Sequence, residues 1–205
     1  MKDINSGKEL VNKVKSFTKN YDFEIIASGD RSELTRFAES YIHQNVAETN
    51  LNLTVKVINE DRIGTVEMNS IDDHTISKNI EKAIEVTKIT PKLDYHYQLL
   101  KSQSYKIKSK YSKDTANFTP LDRAQLVKQL IKEVNKKGYE AAGAFKTEES
   151  TLLVANSEGV FAFDRETKVD FNCVITRDNS TAHTSFIDSD INNFNIKKCL
   201  FLLHF

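Results

Sequence analysis

Residues 51–68 read LNLTVKVINEDRIGTVEM, and this stretch decides the fold. Leu51, Leu53, Val55 and Val57 alternate with polar residues, which is the period-two pattern of a strand with one face in a core. Glu60 and Asp61 supply a turn, and Arg62 to Met68 returns as the hairpin partner. Antiparallel sheet is therefore expected in the first half of the chain.

Working outward, the spacing of Ile76, Ile80, Ala83, Ile84 and Thr87 predicts a helix from Asp72 to Lys88, stopped before Pro91. Upstream, Ser6 and Glu9 fit a capping box, with Leu10, Val11, Val14 and Phe17 at helical spacing behind it. Between that helix and the hairpin, Asp22 to Ser28 and Glu33 to Ala38 read as two short strands around Gly29-Asp30. Downstream, residues 92–118 lose periodicity and carry Lys101, Lys106, Lys108, Lys110 and Lys113, so a flexible connector is expected. Thr119 can cap a further helix with Pro120 in its first turn, Leu126, Val127, Leu130, Ile131 and Val134 as its core stripe, and Gly138 at its end. Four short strands should come next: Tyr139–Phe145, Thr151–Ala155, Val160–Phe163 and Lys168–Thr176. Cys173 lies on the apolar phase of the last, where a thiol serves as core.

A shift of 118 residues lays Tyr21 on Tyr139, Ser32 on Ser150, Leu34 on Leu152, Glu48 on Glu166 and Thr49 on Thr167. The same shift lays Leu51, Leu53, Val55 and Val57 on Val169, Phe171, Cys173 and Ile175. With one residue of slip, Leu10, Val14 and Phe17 meet Val127, Ile131 and Val134. Two readings stand at this point: a duplicated helix-plus-sheet unit, or two unrelated α+β segments. The correspondence across helix, turn and strand favours duplication. The expected division is a first α+β unit over 1–91, a connector over 92–118, a second and incomplete α+β unit over 119–190, and an atypical apolar tail over 191–205.

The 205 residues carry 29 Lys plus Arg against 29 Asp plus Glu, which excludes a strongly basic nucleic-acid binder and leaves only local patches to consider. Tyr105 and Tyr111 among the connector lysines could stack on bases, but an exposed linker has the same composition. Cys173 and Cys199 have no CxxC partner, the N-terminus has no signal-like apolar core, and no apolar run nears the length of a membrane span, so a reducing cytoplasm is the expected setting. His43, His74, His96, His183 and His204 form no HExxH or HxH pattern, and no phosphate-binding glycine motif or GxSxG elbow occurs. Asp188-Ser189-Asp190 lacks the remainder of a calcium loop and reads as a solvated turn. The candidates for substrate contact or an interface are Arg36, with its planar donor fork, and His43, Gln44 and Asn45; inter-strand bonding is their competing role.

These residues resemble the TldD/PmbA family, whose members are also described as candidate modulators of DNA gyrase and as metalloprotease-like proteins. The resemblance lies in Leu34-Thr35-Arg36-Phe37-Ala38, Ile42-His43-Gln44-Asn45, the paired strands from Leu51 to Met68, the helix before Pro91, Gly143-Ala144-Phe145, Leu153 through Val160, and Asp164-Arg165, and it spans residues 20–187. It implies an N-terminal half of duplicated α+β units within a protein about twice this length. In the TldD branch an HExxxH motif and a distant cysteine hold the catalytic metal; the PmbA or TldE branch lacks the motif and partners a TldD subunit. The family acts on peptides or unfolded polypeptides as homodimers or TldD–TldE heterodimers.

No HExxxH occurs in this chain, so no catalytic residue and no metal ligand carries over, and a divalent metal, zinc, is expected only in a C-terminal half. After Asp190 the family pattern gives way to an apolar run from Leu200 to Phe205, and a gene product truncated before the metal-binding half is expected. The resemblance thus implies the N-terminal substrate-guiding or assembly region of a metallopeptidase, inactive alone. The alternative is a standalone peptide-binding or partner-binding module without catalysis. Neither reading calls for nucleic acid or membrane.

Overall fold

Asp3, rather than Ser6, opens the first helix, α1 (Ile4–Thr18). Its carboxylate accepts the Ser6 N–H at 2.9 Å, while the Ser6 hydroxyl accepts the Asp3 N–H at 3.1 Å. The box sits three residues earlier than the sequence suggested, because a carboxylate is an excellent acceptor for the first orphan N–H groups and suits the positive end of the helix. The structure, a computed structural model, describes residues 1–105 and 110–200, apart from the side chain of Cys199. Lys106 and Lys108 of the lysine run and residues 201–205 of the apolar tail lie outside the described residues.

Three strands come after α1: β1 (Asp22–Ala38), β2 (Tyr41–Asn59) and β3 (Arg62–Met68), then helix α2 (Asp73–Ile89). A short turn of helix, α3 (Lys113–Ala116), precedes α4 (Pro120–Lys136) and the strands β4 (Glu140–Asn156), β5 (Phe161–Arg177) and β6 (Ser180–Asp188). A 3-10 turn at Ile191–Asn193 and a short helix, α5 (Ile196–Leu200), close the described chain. The six strands form one sheet in the order β3-β2-β1-β4-β5-β6, with antiparallel β2/β3 and β5/β6 hairpins. The fold is α+β. No helix among the described residues is long and apolar enough to cross a membrane.

The expected pairs of short strands are single long ones. Gly29-Asp30 reads as a turn, yet Phe23, Ile25 and Ala27 before it and Glu33, Thr35 and Phe37 after it are buried on the same phase, with Gly29 half-buried and Arg31 exposed between them. A turn would reset that phase; a continuous pleat preserves it. The same holds across Lys146 to Ser150 in β4 and Asp164 to Glu166 in β5. Polar mid-strand composition mimicked loops because local residue preference is weaker than a sheet ladder.

The duplication is plain in these elements. β1 and β4 are each 17 residues long and begin 118 residues apart, as Asp22 and Glu140 do. β2 and β5 end 118 apart at Asn59 and Arg177, and α1 and α4 end 118 apart at Thr18 and Lys136. Asp72 and Asp190 share that spacing and each caps a helical turn, accepting the N–H of Thr75 and of Asn192. Among the described residues the repeat breaks there: α2 has 17 residues, whereas Asp190 leads into the 3-10 turn and α5.

The chain forms two compact units. The first gathers Met1–Asp30, Asn50–Lys108 and Ser150–Arg165. Its core contains Leu10, Val14, Phe23, Ile25, Leu53, Val55, Val57, Ile76, Ile80, Ala83 and Leu153. Gly64 allows α2 to lie directly on β3, since a Cβ there would stand 2.0 Å from the Ala83 carbonyl oxygen. The second unit gathers Arg31–Thr49, Ser109–Glu149 and Glu166–Phe205, around Phe37, Val127, Leu130, Val134, Phe145, Val169, Phe171, Cys173 and Ile175. Cys173 is fully buried, as its strand phase required.

The connector has irregular backbone that makes hydrogen bonds to both units along its described residues. In the first unit, the Leu93 N–H reaches the Asp61 carbonyl at 2.9 Å, Asn156 Nδ2 reaches the Leu100 carbonyl at 2.8 Å, and Leu99 is buried. In the second, the Thr167 N–H donates to the Lys110 carbonyl at 3.0 Å and the Ser112 N–H to the Thr167 hydroxyl at 2.8 Å. Irregular backbone lacks a periodic signal even when each polar group finds a partner.

Candidate functional site

The four residues singled out by sequence lie on β1 and β2 and divide between two faces. Arg36 Nη1 donates to Gln44 Oε1 at 3.4 Å, an exposed contact across the strands. The Thr35 hydroxyl donates to Asn45 Oδ1 at 2.7 Å. Because successive strand residues point to opposite faces, Arg36 and Gln44 share one face while Asn45 is on the other. His43 is exposed and meets the Tyr41 ring edge-on at 6.1 Å and 70°. Gln44 and Asn45 are thus inter-strand bonding partners, and the four groups do not converge on one point.

Thr35 leads to a residue that sequence reasoning missed. Arg123, in the first turn of α4, is 1% exposed and is the largest fully buried side chain of the chain's described residues. Its Nη2 donates to Glu33 Oε2 at 2.8 Å, its Nη1 to the Thr147 hydroxyl at 2.8 Å and the Phe118 carbonyl at 3.0 Å, and its Nε to the Thr35 hydroxyl at 3.3 Å. Glu33 also accepts from Arg31 Nη2. Burial alone would raise the Glu33 carboxyl, but the hydrogen bonds and charges of Arg123 and Arg31 outweigh it and hold the group below its ordinary range. A signal for this site existed: Arg123 stands four residues before Val127 and seven before Leu130, on the apolar stripe itself. Glu33 likewise occupies the buried phase of β1.

A shallow polar depression lined by Arg31, Glu33, Thr115, Phe118, Thr147 and Glu148 lies beside this network. Among the described residues every buried side-chain polar atom has a hydrogen-bond partner. The donors of Arg123 are thus engaged by the protein, and the guanidinium acts as an internal tie among α4, β1 and β4. A group so engaged orients structure, whereas Arg36 and Gln44 are exposed.

The Asp188 to Asp190 turn is a bonded corner. Asp190 accepts from the Ser112 hydroxyl and the Asn192 N–H, both at 3.0 Å, and Asp188 accepts from the Asp190 N–H at 2.9 Å and Asn193 Nδ2 at 3.2 Å. The Asp190 N–H, with Asn193 behind it, lowers the Asp188 carboxyl below its usual range. Among the described residues no three His, Cys, Asp or Glu side chains gather as a metal-ligand set.

Comparison with sequence-family models finds no match, and comparison with curated proteins finds none. Solved structures do match. TldE from Thermococcus kodakarensis superposes with a TM-score of 0.73 at 16% identity, over 95% of this chain and 45% of that one. A candidate modulator of DNA gyrase from Thermotoga maritima gives 0.72 at 14% identity, over 93% of this chain and 45% of its own. A second candidate modulator of DNA gyrase, from Bacteroides thetaiotaomicron, gives 0.72 at 15% identity, over 97% and 49%. The chain spans about half the length of the solved structures it matches. With duplicated helix-and-sheet elements and this superposition over nearly its whole length, the chain has the fold shared by TldE and the two gyrase-modulator structures.

Proposed function

We propose that this chain is the N-terminal substrate-guiding or assembly region of a TldD/PmbA-type peptidase, and that it does not hydrolyse peptides by itself. The observation that carries this reading is the likeness to TldE over 95% of the chain. Arg36 and the Gln44 amide, exposed side by side on β1 and β2, are the groups assigned to meet an extended polypeptide, and His43 the adjoining interface group. Zinc chemistry belongs, in this reading, to a C-terminal half of a TldD-type protein, and the working location is the cytoplasm. The competing reading is a standalone module that binds a peptide or a TldD-type subunit without contributing to catalysis.

Fluorescence anisotropy of a labelled unfolded peptide, with mass spectrometry of the same mixture, tests the proposal. Saturable binding of intact peptide, weakened by Arg36→Ala and Gln44→Ala, is expected. Metal-dependent cleavage reversed by a chelator would overturn it. Co-purification with a TldD-type subunit that gains no peptide turnover would favour the standalone module.

A further inference from the structure

We infer that residues 201–205 complete the second unit by carrying α5 onward over the core face of β6, the place that α2 takes on β3. The inference goes beyond the peptide-guiding role and does not depend on it. In the first unit the cover of the outer strand is on view. Asp72 caps α2, whose buried stripe is Ile76, Ile80, Ala83 and Thr87, and Ala83 and Thr87 lie against Gly64 of β3. Gly64 and Met68 are buried beneath it.

The counterparts 118 residues on have less cover. Ala182, Thr184 and Phe186 pair with the buried Ile175, Cys173 and Phe171 and so share the core face, yet each is only half-buried. The described chain after Asp190 has already turned onto that face. Phe194 meets the Phe186 ring at 5.3 Å and 68°, and the Phe145 and Phe171 rings at 5.0 Å. Ile196 and Leu200 of α5 pack against the second core.

The occupant is set by residue order. Ile196 and Leu200 stand in the same i, i+4 relation as Ile76 and Ile80, and the next member of the α2 stripe, Ala83, falls by that count on Leu203. The offset is here 120 residues, with Phe194 and Asn195 set between the 3-10 turn and α5. Leu203 is thus the counterpart of Ala83, as Ala182 is of Gly64. Ala182 carries the Cβ that Gly64 lacks, so the segment stands farther off β6 than α2 stands off β3. The run from Leu200 reads LFLLHF, and laying it on a half-buried face removes apolar surface from water on both sides.

Thiol labelling and cross-linking of the full chain test the inference in a Cys199→Ser background. Leu203→Cys should react with a thiol reagent about tenfold more slowly than Phe201→Cys, which falls about 100° past Leu200 and off the stripe. A short bifunctional thiol reagent should bridge Ala182→Cys and Leu203→Cys within a single chain of 23.4 kDa. It should not bridge Ile187→Cys and Leu203→Cys, because Ile187 lies on the opposite face of β6 and is 65% exposed. Removing residues 201–205 should speed labelling of Ala182→Cys about tenfold, with an unchanged circular dichroism spectrum. If that shortened chain fails to fold, the cysteine pairs decide alone. Equal reactivity at 201 and 203, a bridge to Ile187→Cys, or an Ala182→Cys rate indifferent to the removal overturns the inference. A bridge found only at twice 23.4 kDa also overturns it and gives the face to the tail of another copy.

Discussion

The first unit closes its mid-strand region with small and apolar groups; the second closes its own with a buried ion pair. At positions 118 residues from Arg123, Glu33, Thr35 and Thr147, the chain carries Asn5, Thr151, Leu153 and Gly29. In the first unit Leu153 is fully buried, the Thr151 hydroxyl donates to the Gly29 carbonyl at 3.3 Å, and Asn5 is exposed. In the second, Arg123 ties Glu33, Thr35, Thr147 and the Phe118 carbonyl together with no exposed face. Duplication has preserved strand order, the length of β1 and β4 and the apolar phase, while the polar interior has diverged. Fold periodicity and interior chemistry are therefore separable properties here.

The largest expected effect comes from breaking the ion pair. Arg123→Met should cost about 3–5 kcal/mol of unfolding free energy in urea titration, because it removes the buried partner of Glu33 and leaves that carboxylate only the exposed Arg31 as a counter-charge. The double variant Arg123→Met/Glu33→Met should recover most of that loss, since two packed apolar groups replace two desolvated charges. Asn5→Met, 118 residues earlier and exposed on α1, should change stability by no more than about 0.5 kcal/mol. Equal losses at positions 5 and 123 would erase the distinction between the units.

Gly64→Val should cost about 1–3 kcal/mol by calorimetry, because the new side chain collides with the Ala83 backbone and forces α2 off β3. Ala182→Val, 118 residues later on half-buried β6, should stay within about 0.5 kcal/mol. A large loss at Ala182 would mean that β6 is covered as closely as β3.

The pH dependence sharpens the same contrast. Glu33 is held below its ordinary value in the folded chain, so its pairing is stabilising above about pH 4.3, the unfolded value, and is lost as pH falls through the folded value. In Arg123→Met the Glu33 carboxyl keeps the exposed Arg31 as its charged partner but loses the buried one, so burial raises it relative to the parent chain and acidification should relieve part of the defect. Urea midpoints at neutral and acidic pH should therefore converge between the parent chain and Arg123→Met. A constant gap would show that the two groups do not titrate as a pair.

The smallest effect concerns the connector. The Asp61 carboxylate accepts the Tyr97 N–H at 2.9 Å and meets His96 Nδ1 at 2.8 Å, and the Tyr97 N–H in particular keeps it below the usual carboxylate range. Asp61→Ala should leave the melting temperature nearly unchanged but speed protease cleavage within residues 92–105 several-fold. Cleavage at the parent rate would mean that Leu93 and Leu99 hold this segment without Asp61.

Much of the architecture is legible in residue order alone. The alternation of Leu51 to Val57, the turn at Glu60-Asp61, the helix expected from Asp72 and the Thr119-Pro120 helix start depend on near neighbours, the 118-residue echo is a comparison of residue order, and each reappears in the structure. Helical and strand periods are properties of the chain itself, so a core-facing stripe is written directly into residue order. Three features needed the assembled sheet: the continuity of β1, β4 and β5 through polar centres, the docking of residues 92–105 and 110–118, and the pairing of Arg123 with Glu33 across 90 residues. Each depends on a partner distant in sequence, and a polar residue displays the same composition whether it faces water or a buried counter-charge. Arg36, His43, Gln44 and Asn45 illustrate the point. Their chemistry was visible as residue types, but the division of Arg36 and Gln44 from Asn45 arises only when β1 and β2 pair and the pleat assigns each side chain its face.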